Sequence, residues 1–182
     1  MGVLLLRFRR GDVSRIRSLW AHAGADLFEA LESDECYHYH GVADDRAADE
    51  EALMQRALDA VAPAVTIARL DLLLDLPGAS AGMPAPYHYI VETDVLPEHE
   101  ADFNRWYDRE HLPGLAAVPG TIRARRFRNN EASPRYHACY DITTPTTVGN
   151  RQWRAVRETP WSGKVRPAFR NTRRTLFRRR SW

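Results

Sequence analysis

The first half of the chain alternates apolar runs with segments of helical spacing. Residues 3–9 are apolar and end in arginines, which predicts a strand. Between residues 12 and 31, apolar side chains recur on one helical face, with Asp12 or Ser14 as the cap. The further predicted elements of this half are a strand at 36–42, a helix at 47–60 and a strand at 66–74.

A second set of elements follows residues 77–86, which are rich in Pro, Gly, Ala and Ser and predict a linker. The strands predicted beyond it are residues 87–95, 121–128, 135–142 and 172–179, and the helices are 98–111 and 147–158. Their order, βαββαβ, is that of a ferredoxin-like unit, so the predicted fold class is α+β.

The first half can be laid on the second with an offset of 86 residues, which places Trp20 on Trp106 and predicts a tandem duplication. The first copy has no room for a strand before its second helix, so we expect it to be degenerate. Ala25 stands in it where the second copy has His111. The expected domains are a first half at 1–76, a linker at 77–86 and a second half at 87–182.

Charge divides the chain in the same way. Of its 182 residues, 1–86 carry 8 Lys/Arg and 14 Asp/Glu, a net of −6, whereas 87–182 carry 18 and 10, a net of +8. Opposite charges favour docking of one half on the other. Lys164 is the only lysine, and we attribute the arginine excess to base composition of the genome rather than to a nucleic-acid partner.

Several classes of function are not expected. No apolar run approaches the roughly 20 residues of a membrane span. The sequence contains no G-x-G-x-x-G motif, P-loop or nucleophile elbow, so we expect no nucleotide cofactor and no serine hydrolysis. Cys36 and Cys139 have neither metal-ligand nor redox spacing, and the expected location is cytoplasmic.

Three motifs in the second half carry a resemblance: WYDREHLP at 106–113, VPG at 118–120 and ARRF at 124–127. In this order they resemble the EthD-like branch of the dimeric α/β barrel superfamily, over roughly residue 87 to the C-terminus. The resemblance implies ferredoxin-like sheets that pack face to face around a cavity, from one chain or from two. Members of this superfamily include polyketide cyclases, monooxygenases, isomerases and haem enzymes, so the resemblance implies a fold more strongly than a reaction.

His111 is the main catalytic candidate. It lies at the predicted end of an aromatic-faced helix, and imidazole titrates near neutral pH, as a general acid/base requires. The resemblance adds that the matching histidine lines the cavity in several catalytic relatives. Tyr107 and Asp108, four and three residues earlier, are its expected partners. The alternative is a structural histidine that bonds a backbone carbonyl.

The expected substrate-binding residues are His88, Trp106, His137 and Arg166. His88 and His137 lie on strands opposite to tyrosine-bearing faces, and the sequence does not decide which face lines the cavity. For Trp106, core packing against the sheet is the favoured alternative. Arg166, with the nearby Arg170 and Asn171, is suited to a carboxylate or phenolate, although pairing with the acidic first half is favoured. His38 and His40 share a strand face without a third ligand, so no metal is expected.

The resulting hypothesis is a cofactor-independent enzyme that moves a proton on a small oxygenated or aromatic molecule. The step would be a cyclisation, isomerisation, dehydration or lyase reaction on a polyketide or a catabolic intermediate. The alternatives are a non-catalytic ligand-binding protein on the same barrel and a cofactor-less monooxygenase. The expected partners are a small-molecule substrate and, as a homodimer, a second copy of the chain.

Overall fold

The computed structural model describes residues 2–20 and 26–181. The strands are β1 (Gly2–Arg9), β2 (Asp26–Ala30), β3 (Glu35–Val42), β4 (Thr66–Pro77), β5 (Tyr87–Val95), β6 (Thr121–Asn129), β7 (Tyr136–Ile142) and β8 (Phe169–Ser181). The helices are α1 (Val13–Trp20), α2 (Ala47–Val61), α3 (Glu100–Trp106), α4 (Leu112–Ala116), α5 (Arg151–Arg157) and α6 (Pro160–Val165). A π turn, Tyr107–His111, joins α3 to α4.

All eight strands form one closed antiparallel barrel in the order β1-β3-β2-β8-β5-β7-β6-β4. Within each half the strand order is that of a ferredoxin-like sheet, β4-β1-β3-β2 in the first and β8-β5-β7-β6 in the second. Two seams join the half-sheets: β2 pairs with β8, and β4 pairs with β6. The barrel therefore closes within one chain, a point that the sequence left open.

The first half corrects the sequence analysis at β2. The helix predicted to reach Leu31 has its last described residue at Trp20, and Asp26–Ala30 form a strand between β3 and β8. Leu27 and Phe28 continue the helical spacing, but distant pairing, such as Ala30 with Phe177, overrides this local signal. The first half has all six elements, so the prediction of a missing strand was wrong. The position equated with His111, Ala25, lies outside the described residues.

Strand β1 is buried on both faces. Leu4, Leu5 and Leu6 are all fully buried, because Leu5 points into the barrel while Leu4 and Leu6 point outward under the helices. The main apolar side chains of the barrel interior are Leu5, Phe28, Leu70, Ile90, Phe127 and Phe177. Two further cores lie outside the barrel, one under α1 and α2 and one under α3 to α6.

The first helical segment of the second half continues past His111, where the sequence predicted its end. Pro113 lies directly after the π turn, in the first turn of α4. Gly114 is required because a Cβ there would lie 2.8 Å from Cγ1 of Val156. This close approach presses α4 against α5 and fixes the height of the π turn above the sheet.

The predicted helix at 147–158 is shorter than expected and is followed by a second helix. Asn150 caps α5, its side chain accepting a hydrogen bond from the Trp153 N–H at 2.8 Å. Thr159 caps α6 in the same way at Ser162. The turn between these helices brings Arg157 and Arg166 to one edge of the second half. No helix in the described part of the chain is long and apolar enough to cross a membrane.

Candidate active site

A cavity lies between the outer face of the second half-sheet and helices α3 to α6. We call it the His111 cavity. Its lining residues are Tyr89, Val91, Trp106, Tyr107, His111, Leu115, Tyr140, Trp153, Arg157, Arg166, Phe169 and Arg174. The space between these residues is about 360 Å³ with the opening to solvent included, and about 20 Å³ of it admits the centre of a water-sized sphere. The inner end is thus an aromatic crevice that holds about one water.

His111 forms part of the wall of this crevice. Its ring stacks on the Trp106 indole, with 4.0 Å between centroids and 20° between planes, and the Tyr107 ring meets it edge-on. Only 7% of His111 is exposed, and Nδ1 is buried without a hydrogen-bond partner in the described residues. Nor does any described backbone carbonyl accept a bond from it, so the structural alternative for this histidine lacks its expected contact.

The surroundings of His111 keep its imidazole neutral. Burial lowers its pKa to about 3, and the positive charges of Arg157, Arg166 and Arg126 act in the same direction. The ring is therefore unprotonated throughout the physiological pH range. A buried neutral imidazole with a free nitrogen is a proton acceptor that the fold leaves unused.

A carboxylate behind Trp106 holds the indole on which His111 stacks. The Trp106 Nε1–H donates to Oε1 of Glu110 at 3.2 Å, and the Thr159 hydroxyl donates to the same oxygen at 2.5 Å. Trp106 is fully buried. Trp106 belongs to the hydrophobic core and also lines the His111 cavity, so its position is compatible with both core packing and substrate binding.

Tyr107 lies beside His111, as their spacing predicted, and is 2% exposed. Burial raises the pKa of its hydroxyl to about 12, despite the opposing charge of Arg126, so the phenol stays protonated at neutral pH. A neutral phenol can donate a hydrogen bond to a substrate oxygen. Tyr89 and Tyr140, from β5 and β7, complete the tyrosine wall.

Asp108 does not lie beside His111 in this structure. Its half-exposed side chain accepts a hydrogen bond from Arg126 at 3.2 Å. Arg126 is 1% exposed, lies over the Tyr107 ring and also donates to Asn104 at 2.6 Å. Asp108 thus neutralises a buried guanidinium, and its predicted role as the partner of His111 has no contact to support it.

Three arginines surround the cavity opening and form what we call the arginine cluster: Arg157 of α5, Arg166 after α6, and Arg174 of β8. None of them pairs with a carboxylate among the described residues, so the favoured pairing of Arg166 with the acidic first half is absent there. Arg170 instead donates to backbone carbonyls, and Asn171 donates to Asp94 at 2.9 Å. Arg157 and Arg174 were missed by the sequence analysis, because no local pattern marks them.

His88 and His137 lie on the opposite face of the sheet from His111, inside the barrel. Nδ1 of His88 contacts Asp141 at 2.8 Å, and Nε2 contacts the Tyr39 hydroxyl at 3.2 Å. The Nε2–H of His137 donates to the Pro134 carbonyl at 3.0 Å. Both are fully buried, so the structure does not bring these two predicted substrate-binding residues to the His111 cavity. It does settle the strand faces: histidines point inward and tyrosines outward.

A buried carboxylate near His137 organises one end of the barrel interior. Glu92 is fully buried and accepts hydrogen bonds from Arg7 at 2.8 Å and from the Tyr37 hydroxyl at 3.1 Å. Arg173 lies 3.3 Å from its other side. With its charge compensated in this way, Glu92 ties β5 to strands of both halves.

His38 and His40 contact a backbone carbonyl and a carboxylate. Nδ1 of His38 lies 2.9 Å from the Asp26 carbonyl, and Nε2 of His40 lies 3.4 Å from Glu50 of α2. Within residues 2–20 and 26–181, no group of three His, Cys, Asp or Glu side chains is placed to hold a metal ion.

Solved structures with the same architecture cover nearly the whole chain. An anthrone oxidase-like protein is 15% identical, covers 99% of this chain and 92% of its own, and superposes with a TM-score of 0.67. A ferredoxin-fold protein from Listeria monocytogenes related to antibiotic biosynthesis monooxygenases is 10% identical, with coverage of 100% and 96% and a TM-score of 0.63. A heme-degrading enzyme from the same organism is 8% identical, with coverage of 98% and 99% and a TM-score of 0.61.

These likenesses show the fold alone: the chain shares with these proteins a barrel built of ferredoxin-like half-sheets. No protein-family model matches the sequence, and no curated protein is significantly similar to it. Its assignment to the EthD-like branch stays a prediction.

Proposed function

We propose that this protein is an enzyme that removes a proton from a small, oxygenated aromatic or enolisable molecule bound in the His111 cavity. The observation that carries the proposal is the neutral, buried imidazole of His111, whose Nδ1 has no partner among the described residues. A general base must be unprotonated at the working pH and must have a free nitrogen. His111 meets both conditions.

The charge around the cavity favours the product of this step. When a C–H or phenolic O–H proton moves to His111, the electron pair left behind becomes an enolate or phenolate. Arg157 and Arg166 line the same cavity and add positive charge to it, and Tyr107 supplies a neutral donor. The same arginines make His111 a weak base, so the chemistry suits substrates that are already acidic, or whose developing anion stabilises the imidazolium.

The fate of the anion defines the reaction type. Return of the proton to a different carbon gives an isomerisation, attack of the carbanion on a second carbonyl gives a cyclisation, and loss of a β-substituent gives a dehydration or lyase reaction. We favour this group because it needs only a base, a donor for the oxygen and exclusion of water, all of which the cavity offers.

The second candidate is cofactor-less monooxygenation, favoured by neighbours described as anthrone oxidase-like and as related to antibiotic biosynthesis monooxygenases. The same anion would reduce O₂. One oxygen atom would enter the product as a carbonyl in place of the CH₂ group, and the other would leave as water. Both candidates share the deprotonation at His111 and differ in whether oxygen is consumed.

A haem is not part of either proposal. One neighbour is a heme-degrading enzyme, but only about 20 Å³ of the His111 cavity admits the centre of a water-sized sphere, far below the roughly 300 Å³ of a small-molecule pocket. The inner part is closed by Trp106, Tyr107 and Trp153 and admits about one water. The residues present therefore do not fit a macrocycle, and no step is derived through one.

We also propose that the two halves arose by duplication and that only the second carries a site. The equivalent layer under α1 and α2 is an apolar core. The first residues of β1 and β2 are 24 positions apart, whereas those of β5 and β6 are 34 apart. The longer second connection contains the π turn and α4, and so contains His111.

The shared first step can be tested without knowing the product. Anthrone and 2-tetralone would be incubated with the protein in D₂O, and loss of the acidic C–H signals would be followed by NMR while an electrode records oxygen. We expect protein-dependent exchange that falls roughly 10²–10⁴-fold in His111→Ala, the usual contribution of a general base. His99→Gln, at an exposed histidine ahead of α3, is the matched control.

Exchange without oxygen uptake supports acid/base chemistry, and exchange with stoichiometric uptake supports monooxygenation. If a well-folded His111→Ala retains the wild-type exchange rate, His111 is not the base. Ligand binding without any exchange would favour the non-catalytic alternative.

A further inference from the structure

The arginine cluster gathers three guanidinium groups at one cavity. Other arginines near the barrel are compensated: Arg7 and Arg173 by Glu92, and Arg125 and Arg179 by Asp141. Within the described residues, no carboxylate forms an ion pair with Arg157, Arg166 or Arg174. They come from α5, the turn after α6, and β8, so three separate elements deliver positive charge to one opening.

Placing these groups together is unfavourable unless something negative joins them. Burial lowers the pKa of Arg166, and the charges of Arg157 and Arg174 lower it further, which is the signature of like charges held close together. Guanidinium groups pair with planar oxyanions through two parallel N–H donors. An anion at the opening would relieve the repulsion and satisfy these donors.

The walls beneath the cluster restrict the kind of anion. The arginines are half-buried or exposed, whereas the aromatic rings that line the same cavity are buried and form a slot beneath them, among them Tyr89, Tyr140 and Trp153. Tyr140 and Trp153 meet edge to face with centroids 5.1 Å apart. As it stands this slot holds about one water, so a flat, largely apolar body would enter it only when the helices above it are displaced. His111 lies at the inner wall, where it meets the end of the molecule away from the anionic group.

We propose that the substrate of this site is an aromatic carboxylate, whose carboxylate is held by Arg157, Arg166 and Arg174 while its ring lies in the aromatic slot. Calling this ligand a substrate rests on the proposed function, but its binding does not depend on catalysis. The carboxylate stays at the opening, and the acidic C–H or O–H group points inward toward His111.

Binding can be measured directly, because Trp106 and Trp153 line the cavity and their fluorescence reports a ligand. The probes are 2-naphthoate, its neutral amide and inorganic phosphate, at constant ionic strength. We expect naphthoate to bind at least tenfold more tightly than either of the others. Arg157→Gln, Arg166→Gln and Arg174→Gln should each weaken naphthoate binding several-fold, and the triple variant should abolish the preference over the amide.

Arg154→Gln is the matched control, because Arg154 lies on the same helix as Arg157 but is exposed and outside the cavity. It should leave binding unchanged. Circular dichroism of each variant confirms that the fold is retained, and single variants remain informative if the triple variant does not fold.

Three results would overturn the inference: equal affinity for naphthoate and its amide, equal affinity for naphthoate and phosphate, or unchanged binding in all three cluster variants. Naphthoate binding to His111→Ala separates this inference from the proposed function. If binding persists there while no substrate undergoes exchange in the wild type, the anion site stands and the catalytic proposal fails. If a neutral ketone is turned over but naphthoate does not bind, the reverse holds.

Discussion

The buried neutral state of His111 has a measurable cost at low pH. In the unfolded chain a histidine has a pKa of about 6.5. In the folded protein burial and three nearby arginines lower the pKa of His111 to about 3. Between these two pH values the unfolded chain binds a proton at this histidine and the folded protein does not. The free energy of unfolding therefore falls as the pH falls.

The size of the effect follows from the two pKa values. Proton linkage gives a slope of about 1.4 kcal/mol per pH unit within the window, and about 2 kcal/mol of lost stability between pH 7 and pH 5 from this residue alone. Only 7% of His111 is exposed, so solvent screens the effect little. Other buried histidines, such as His137 with a pKa lowered to about 4, contribute separately and are unchanged by a substitution at His111.

The experiment compares wild type with His111→Gln, which removes the titration and keeps a polar side chain of similar size. Urea unfolding curves at pH 7 and pH 5, read by tryptophan fluorescence, give the free energy of unfolding of each protein. We expect the wild type to lose about 2 kcal/mol more than the variant between the two pH values. The His99→Gln variant should lose as much as the wild type. Equal losses in His111→Gln and wild type would refute the argument, whatever the variant's stability at pH 7.

Three further outcomes follow from single contacts. Tyr107→Phe should lower the exchange rate by less than removal of His111 does if the hydroxyl meets the substrate oxygen, and an unchanged rate would assign Tyr107 to the core alone. Gly114→Ala places a methyl group 2.8 Å from Val156 and should destabilise the fold by about 1–3 kcal/mol, which Val156→Ala should largely restore in thermal melts. Asp141→Asn should cost about 3–5 kcal/mol at pH 7, because it leaves the largely buried guanidinium of Arg125 without its carboxylate. Burial alone would raise the pKa of Asp141, but the hydrogen bond and charge of His88 and the charge of Arg125 hold it at about 2. Its stabilisation is therefore present above about pH 4 and lost as the pH falls to 2, and an Asp141→Asn variant with an unchanged acid unfolding curve would contradict this.

Local patterns predicted the elements whose signals are local. The run Leu4-Leu5-Leu6 predicts a strand, and it is one because both of its faces are covered. The pattern failed at β2, where Leu27 fits a helical face equally well and the decisive partner, β8, lies some 150 residues away. Alternation placed His88 and Tyr89 on opposite faces but carries no information on which face points inward. That choice is made by packing, with Tyr89 under the helices and His88 against Asp141.

The sequence likewise predicted only part of the candidate site. His111 and Tyr107 share one turn of backbone, so their spacing in the sequence brings them together. Arg157 and Arg174 reach the same cavity from α5 and β8, which no spacing rule connects to residue 111. Asp108 has the sequence spacing to contact His111, but it forms an ion pair with the charged Arg126 of β6 instead. Spacing along one helix thus predicts which residues are neighbours, whereas the charged residues around the site come from other elements of the fold.

The closed barrel limits how a ligand can enter. Each strand has a hydrogen-bonded neighbour on both sides, so the half-sheets cannot separate or slide without breaking both seams. The floor of the His111 cavity is therefore rigid. Its roof includes the short helices α5, with seven residues, and α6, with six, which are held by two caps and by the buried Trp153, Ser162 and Val165. Widening of the aromatic slot must come from displacement of this roof, and native-state hydrogen exchange should find α5 and α6 opening far more often than the strands below them.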